Sequence, residues 1–136
     1  MVPAMNRPQI VCLCGSTRFY RAFDDANLQE TLAGRIVLSV GCYTRSDAEL
    51  GIAHDSDTKA KLDELHLRKI DLADDVLVLN VGGYIGESTA NELAYAVAHG
   101  KGLRFLEPER GNAFLQEHAH LLGELVAQHL RATVRP

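Results

Sequence analysis

Four short apolar runs alternate along the chain with stretches that carry apolar residues at helical spacing, and that alternation restricts the fold more than any other feature. "QIVCLC" (9–14), "RIVLSV" (35–40), "DVLVLNV" (75–81) and "GLRFLE" (102–107) are short, branched and bounded by glycine, proline or polar turns, so they read as buried strands. Helical spacing marks 17–34, 57–73, 88–99 and 112–132, with Gly34 and Gly100 as stops after the first and third. The order β-α-β-α-β-α-β-α predicts an α/β fold in which helices cover both faces of a parallel sheet of four to five strands. This is a three-layer sandwich of flavodoxin-like or Rossmann-like type. At 136 residues the chain is one domain, spanning 1–136, long enough to bury a single core.

In such folds ligands bind beyond the carboxyl ends of the strands, where strand order reverses. Three segments are expected there: "CGSTRF" (14–19), the long polar loop 41–57, and the glycine-rich "GGYIGEST" (82–89). The charge balance is acidic, −4 overall, which gives no basic field for a nucleic-acid polymer. An anion site, if present, is local. No apolar run has the roughly 18 residues of a membrane span, and the N-terminal stretch lacks a signal-peptide core, so a cytoplasmic protein without membrane contact is expected. Cys12, Cys14 and Cys42 are odd in number and form no C-x-x-C pair, which speaks against a disulfide framework and a zinc site. His54 with Asp55 and Asp57 reads as a solvated loop cluster, and His118 and His120 at i, i+2 on a helix point apart. No metal and no cofactor is expected.

Individual residues admit two readings each. Gly15, Ser16 and Arg18 stand where a strand passes into a helix, a place where free N–H groups and a guanidinium suit a phosphate. Ser16 or Thr17 equally suits a helix cap. Gly83 and Gly86 allow close backbone approach, while Ser88 and Thr89 serve either as phosphate ligands or as caps. With Thr89 as N-cap, Thr89-x-x-Glu92 is a capping box that needs no ligand. His66 falls on the apolar arc of its helix with Leu62, Ile70 and Ala73, which fits a hydrogen-bonded core histidine or a proton carrier facing the cleft.

"CLCGSTRF", "ADDVLVLN" and "STANELAYAVAHGK" together resemble the nucleoside 2-deoxyribosyltransferase superfamily, and within it the 2′-deoxynucleoside 5′-phosphate N-hydrolases, over residues 9 to about 105. The resemblance implies the same three-layer fold. It also implies cleavage or exchange of the N-glycosidic bond of a nucleoside or nucleoside 5′-monophosphate. Carried onto this chain, it makes Glu92, in "ANELAYA", the nucleophile that attacks the anomeric carbon, and gives the 5′-phosphate to Gly15, Ser16 and Arg18 with Ser88 nearby. It places Cys12 where the family has a tyrosine beside the nucleophile. His66 stands where the family has an aspartate acting near the leaving base. A homo-oligomer is implied too, for which helices 88–99 and 112–132 offer apolar faces. Two other readings stand beside it: a non-catalytic nucleotide-binding or sensing module of the same fold, and a phosphoribohydrolase of the lysine-decarboxylase-like type, whose glycine motif "GGY…E" matches less well. A flavodoxin-type electron carrier fits poorly, since the cleft loops offer only Tyr43 and Tyr84 to stack a flavin.

Overall fold

The computed structural model describes residues 7–41 and 56–133. Cys42, Tyr43, His54, Asp55 and most of the 41–57 loop lie outside the described residues. The elements are β1 (Ile10–Cys14), α1 (Tyr20–Leu32), β2 (Ile36–Leu38), α2 (Ser56–Leu72), β3 (Asp75–Val78), α3 (Glu87–Ala98), β4 (Gly102–Phe105), α4 (Pro108–Glu117) and α5 (Ala119–Thr133). A single 3-10 turn, Val81–Gly83, lies between β3 and α3. All strands pair in parallel, in the order β2-β1-β3-β4. The chain moves from β1 outward to β2 and crosses back to β3, so strand order reverses between β1 and β3. This is the flavodoxin-like arrangement.

Side chains alternate along each strand, which divides the core in two. Val11, Leu13, Leu77 and Leu79 pack against Phe23 and Ala26 of α1. Cys12, Cys14, Val76 and Val78 face the other way, against Ile70 of α2, Leu93 and Ala96 of α3 and Leu122 of α5. Burial on both faces is why β1 and β3 read as unbroken apolar runs. An ionic bridge ties the α1 layer to the sheet edge: Arg104 of β4 pairs with Glu30 of α1 and, at 2.7 Å, with Asp75 of β3. No helix among the described residues is long and apolar enough to cross a membrane.

Of the boundaries that differ from the sequence expectation, three bear on how the chain turns. The first helix starts at Tyr20 rather than Thr17, because residues 16–19 close a turn in which Phe19 N–H donates to the Ser16 carbonyl (3.0 Å). Phe19 is its N-cap, so neither Ser16 nor Thr17 caps it. The third strand ends at Val78, and residues 81–83 turn away from the sheet. The single C-terminal helix expected over 112–132 is two helices. Pro108 opens the first of them at a position that needs no N–H, and the break falls at His118, whose Nδ1 lies 3.1 Å from the Phe114 carbonyl and whose ring stacks on Phe114. Gly111 in α4 is there for space, since a Cβ at that position would fall on the Phe105 ring.

Candidate functional site

The carboxyl ends of β1 and β3 meet at Gly15, where a Cβ would stand 3.2 Å from the Leu79 Cβ and 3.3 Å from its carbonyl oxygen. The turn that follows exposes Arg18, whose guanidinium lies over the Tyr84 ring (4.2 Å) and near that of Phe19 (4.8 Å). Arg18 thereby links the first loop to the glycine loop. Gly82 and Gly83 take φ of 62° and 84°, a region closed to most side chains. Glu107 and Arg110 grip this loop: the Gly82 N–H donates to Glu107 Oε2 (2.6 Å), and Arg110 donates to the Gly82 carbonyl (2.6 Å).

The start of α3 decides what Glu92 can be. Its N-cap is Gly86 in extended conformation, with no side-chain cap bond, and a Cβ on Gly86 would strike the Tyr84 hydroxyl at 2.8 Å. Glu87 is then the first helical residue, Ser88 the second and Thr89 the third. A capping box from Thr89 to Glu92 is therefore ruled out. Glu92 sits almost two turns into the helix, with its side chain 14% exposed. Thr89 is buried and backs the helix rather than opening to solvent.

His66 of α2 is buried beside Ile70 and Ala73, as the apolar arc predicts, although Leu62 is half-exposed. Its Nε2 lies 4.0 Å from Glu92 Oε1, 3.4 Å from Cys14 Sγ and 3.7 Å from Cys12 Sγ. Burial pushes the Glu92 carboxyl up to about 7; the His66 charge and a hydrogen bond from Cys14 work against that rise without cancelling it. Burial pulls His66 down, but its contacts with Cys12 and Glu92 outweigh that, and the net direction is up. Cys14, hydrogen-bonded to Cys12 and fully buried, is held as a thiol well above the ordinary cysteine range. Both cysteines reach the His66 ring, Cys14 the more closely.

Above Glu92 a cleft of about 510 Å³ opens between α2 and α3. Lys59, Asp63, Ser88, Asn91 and Glu92 line it. Lys59 Nζ bonds to Asp63 (2.9 Å) and reaches to 3.5 Å from Ser88 Oγ. Of the residues expected from sequence, Glu92 and Ser88 line this cleft and His66 contacts Glu92 from below. Gly83, Gly86 and Thr89 do not line it, and neither do Gly15, Ser16 and Arg18 of the neighbouring loop. Lys59, Asn91 and Cys14 were not singled out from sequence as site residues. A signal for Cys14 was present, because i, i+2 on a strand puts it on the face of Cys12. The ligand atoms of Cys12, Cys14 and His66 lie within 4.8 Å of one another, close enough to hold a metal ion. Comparison of the chain with family models, with curated proteins and with solved structures finds no match.

Proposed function

We propose that the protein cleaves, or transfers across, the N-glycosidic bond of a nucleoside or nucleoside 5′-monophosphate, with Glu92 as nucleophile. The observation that carries this reading is the placement of Glu92: a carboxylate free of any capping duty, largely buried, facing a cleft and 4.0 Å from a buried histidine. A carboxylate stabilises an oxocarbenium-like centre before bonding to it, and low dielectric strengthens that attraction.

The chemistry follows from the charges. Glu92 attacks the anomeric carbon, the carbon–nitrogen bond breaks, and its electron pair leaves on the base. As the Glu92 charge is consumed in the new ester, the His66 imidazolium loses its counterion and becomes the stronger acid. The base nitrogen takes its proton from water on the open face of the cleft, because His66 lies beneath Glu92 and outside the cleft lining. In the second half, the hydroxide so formed attacks the anomeric carbon, Glu92 leaves as carboxylate, and the sugar is released with the Glu92–His66 pair restored. A second base in place of water gives transfer instead. Lys59 and Ser88, at the mouth, would be the partners of a 5′-phosphate.

Release of free base from a panel of ribo- and deoxynucleosides and their 5′-monophosphates, read by chromatography, tests the reading. Wild type is expected to release base from at least one member, and a folded Glu92→Gln variant to fall to the uncatalysed background. No release from any member, with a nucleotide still bound, assigns the cleft to a binding module.

A further inference from the structure

The C-x-C pair of β1 and His66 of α2 compose an arrangement that base cleavage does not require. Cys12 and Cys14 project from the same face of one strand, and His66 descends on them from the covering helix. In a tetrahedral zinc site, with Zn–S near 2.3 Å and Zn–N near 2.0–2.1 Å, adjacent sulfur and nitrogen ligands stand about 3.5–3.6 Å apart. The two sulfur–nitrogen separations here, 3.4 and 3.7 Å, bracket that edge.

We propose that Cys12, Cys14 and His66 form a binding site for a thiophilic divalent cation of the zinc class, with the fourth position open toward Glu92. Three further observations support it. The two cysteines are fully buried and His66 is 6% exposed, so the ligands are held by packing and need little reorganisation. Two thiolates and a neutral imidazole cancel a dication, which gives a neutral centre suited to a dry interior. The open side is the cleft: Glu92 lines it and reaches within 4.0 Å of the His66 nitrogen, so an ion has a polar way in. Thiolate and imidazole donors select zinc-like ions over magnesium, calcium or manganese. The exchange balances as one M²⁺ bound and three protons released, one from each thiol and one from the His66 imidazolium, with no change of oxidation state.

Binding itself does not depend on the glycosidase reading. One consequence rests on it: a metal-bound His66 cannot be the cation that holds Glu92 ionised, so the loaded form is expected to lose base release.

The whole chain, reduced and stripped with a chelator, is titrated with Co²⁺ as a spectroscopic probe. The expected result is one equivalent bound, an intense thiolate-to-cobalt charge-transfer band, strong visible bands of tetrahedral cobalt, and loss of both on adding one equivalent of Zn²⁺. A spectrum without thiolate charge transfer overturns the site whatever the variants do. Cys42→Ser should keep the full spectrum; its loss there would mean that the sulfur ligand comes from outside the cluster, which also overturns the assignment. Cys14→Ser should weaken binding by at least ten-fold, and Glu92→Gln should keep the charge-transfer band, since Glu92 is not a ligand. Failure of base release with a positive cobalt titration would sink the enzyme reading and leave the metal site standing.

Discussion

His66 Nε2 and Glu92 Oε1 face each other at 4.0 Å from neighbouring helices, with side chains only 7% and 14% exposed, and each favours the charged form of the other. The attraction does not offset the burial of Glu92, whose carboxyl remains near 7 against an ordinary 4.5. Between those two values the native state keeps a proton that the unfolded chain has lost, so stability falls as pH rises through the window and levels off above it. In metal-free protein Glu92→Gln should therefore be more stable than wild type by roughly 2–3 kcal/mol at pH 8. The two should converge below pH 4.5, where both carry a neutral side chain. Urea denaturation at the two pH values checks this, and a variant that is weaker at both would show that the buried carboxylate costs nothing.

The same pair sets the pH dependence of base release. The nucleophile must be ionised, so kcat/KM should rise with pH along a limb near 7. It should level off above that limb, once the carboxyl that burial holds near 7 is ionised. His66→Gln should cost about ten-fold in rate near neutral pH, since less of Glu92 is then ionised. It should also move the ascending limb to higher pH, because the cation that opposes Glu92's burial is gone. A flat profile between pH 5 and 9 is incompatible with these roles.

Lys59 Nζ lies 3.5 Å from Ser88 Oγ at the cleft mouth, whereas Arg18 is stacked on Tyr84 outside the cleft lining. Lys59→Met should lower kcat/KM for a 5′-monophosphate about ten-fold, the effect of losing one charge-assisted hydrogen bond, and leave the parent nucleoside unchanged. Arg18→Met should have the smaller effect on that ratio. The reverse ranking would place the phosphate in the first loop, as the sequence resemblance implies.

These distinctions mark where the sequence was legible. Apolar periodicity gave the four strands and the layered fold, because strands buried on both faces cannot look otherwise. It did not give the start of α3. Ser88 and Thr89 are good caps on paper, but the extended backbone at Gly86 and the Tyr84 ring folded against it begin the helix at Glu87. That small shift moves Glu92 from a capping position to the cleft floor. The meeting of Cys14 with His66 was equally hidden, since it depends on which helix crosses which strand, and residues 52 apart carry no local signal of contact. Pro108 and Gly111 show the same limit at the C-terminus, where a fixed φ and a missing Cβ, rather than apolar spacing, define α4.

The glycine loop owes its position to a residue outside the cleft lining. Asn80, fully buried just beyond β3, donates through Nδ2 to the Glu107 carbonyl (3.0 Å) and accepts the Glu107 N–H at Oδ1 (2.8 Å). Its amide thus acts as an extra peptide group that joins the end of β3 to the junction of β4 and α4. The Glu107 side chain then holds the Gly82 N–H, which fixes the loop leading to α3. Asn80→Ala leaves the Glu107 N–H without its partner and the Glu107 carbonyl with the Gly111 N–H alone (2.9 Å), and should cost roughly 1–3 kcal/mol. Asn80→Asp keeps the acceptor but turns a carboxylate toward a carbonyl, so it should be no milder at neutral pH. Glu107→Ala leaves the backbone pairs intact and removes the half-exposed grip on Gly82 together with the ion pair to Arg110 (3.3 Å), for which about 1 kcal/mol or less is expected. If Glu107→Ala nevertheless lowers base release several-fold while melting close to wild type, the loop is positioned by this chain of contacts. Equal losses of stability from Asn80→Ala and Glu107→Ala would mean instead that the buried amide contributes nothing beyond the surface contact.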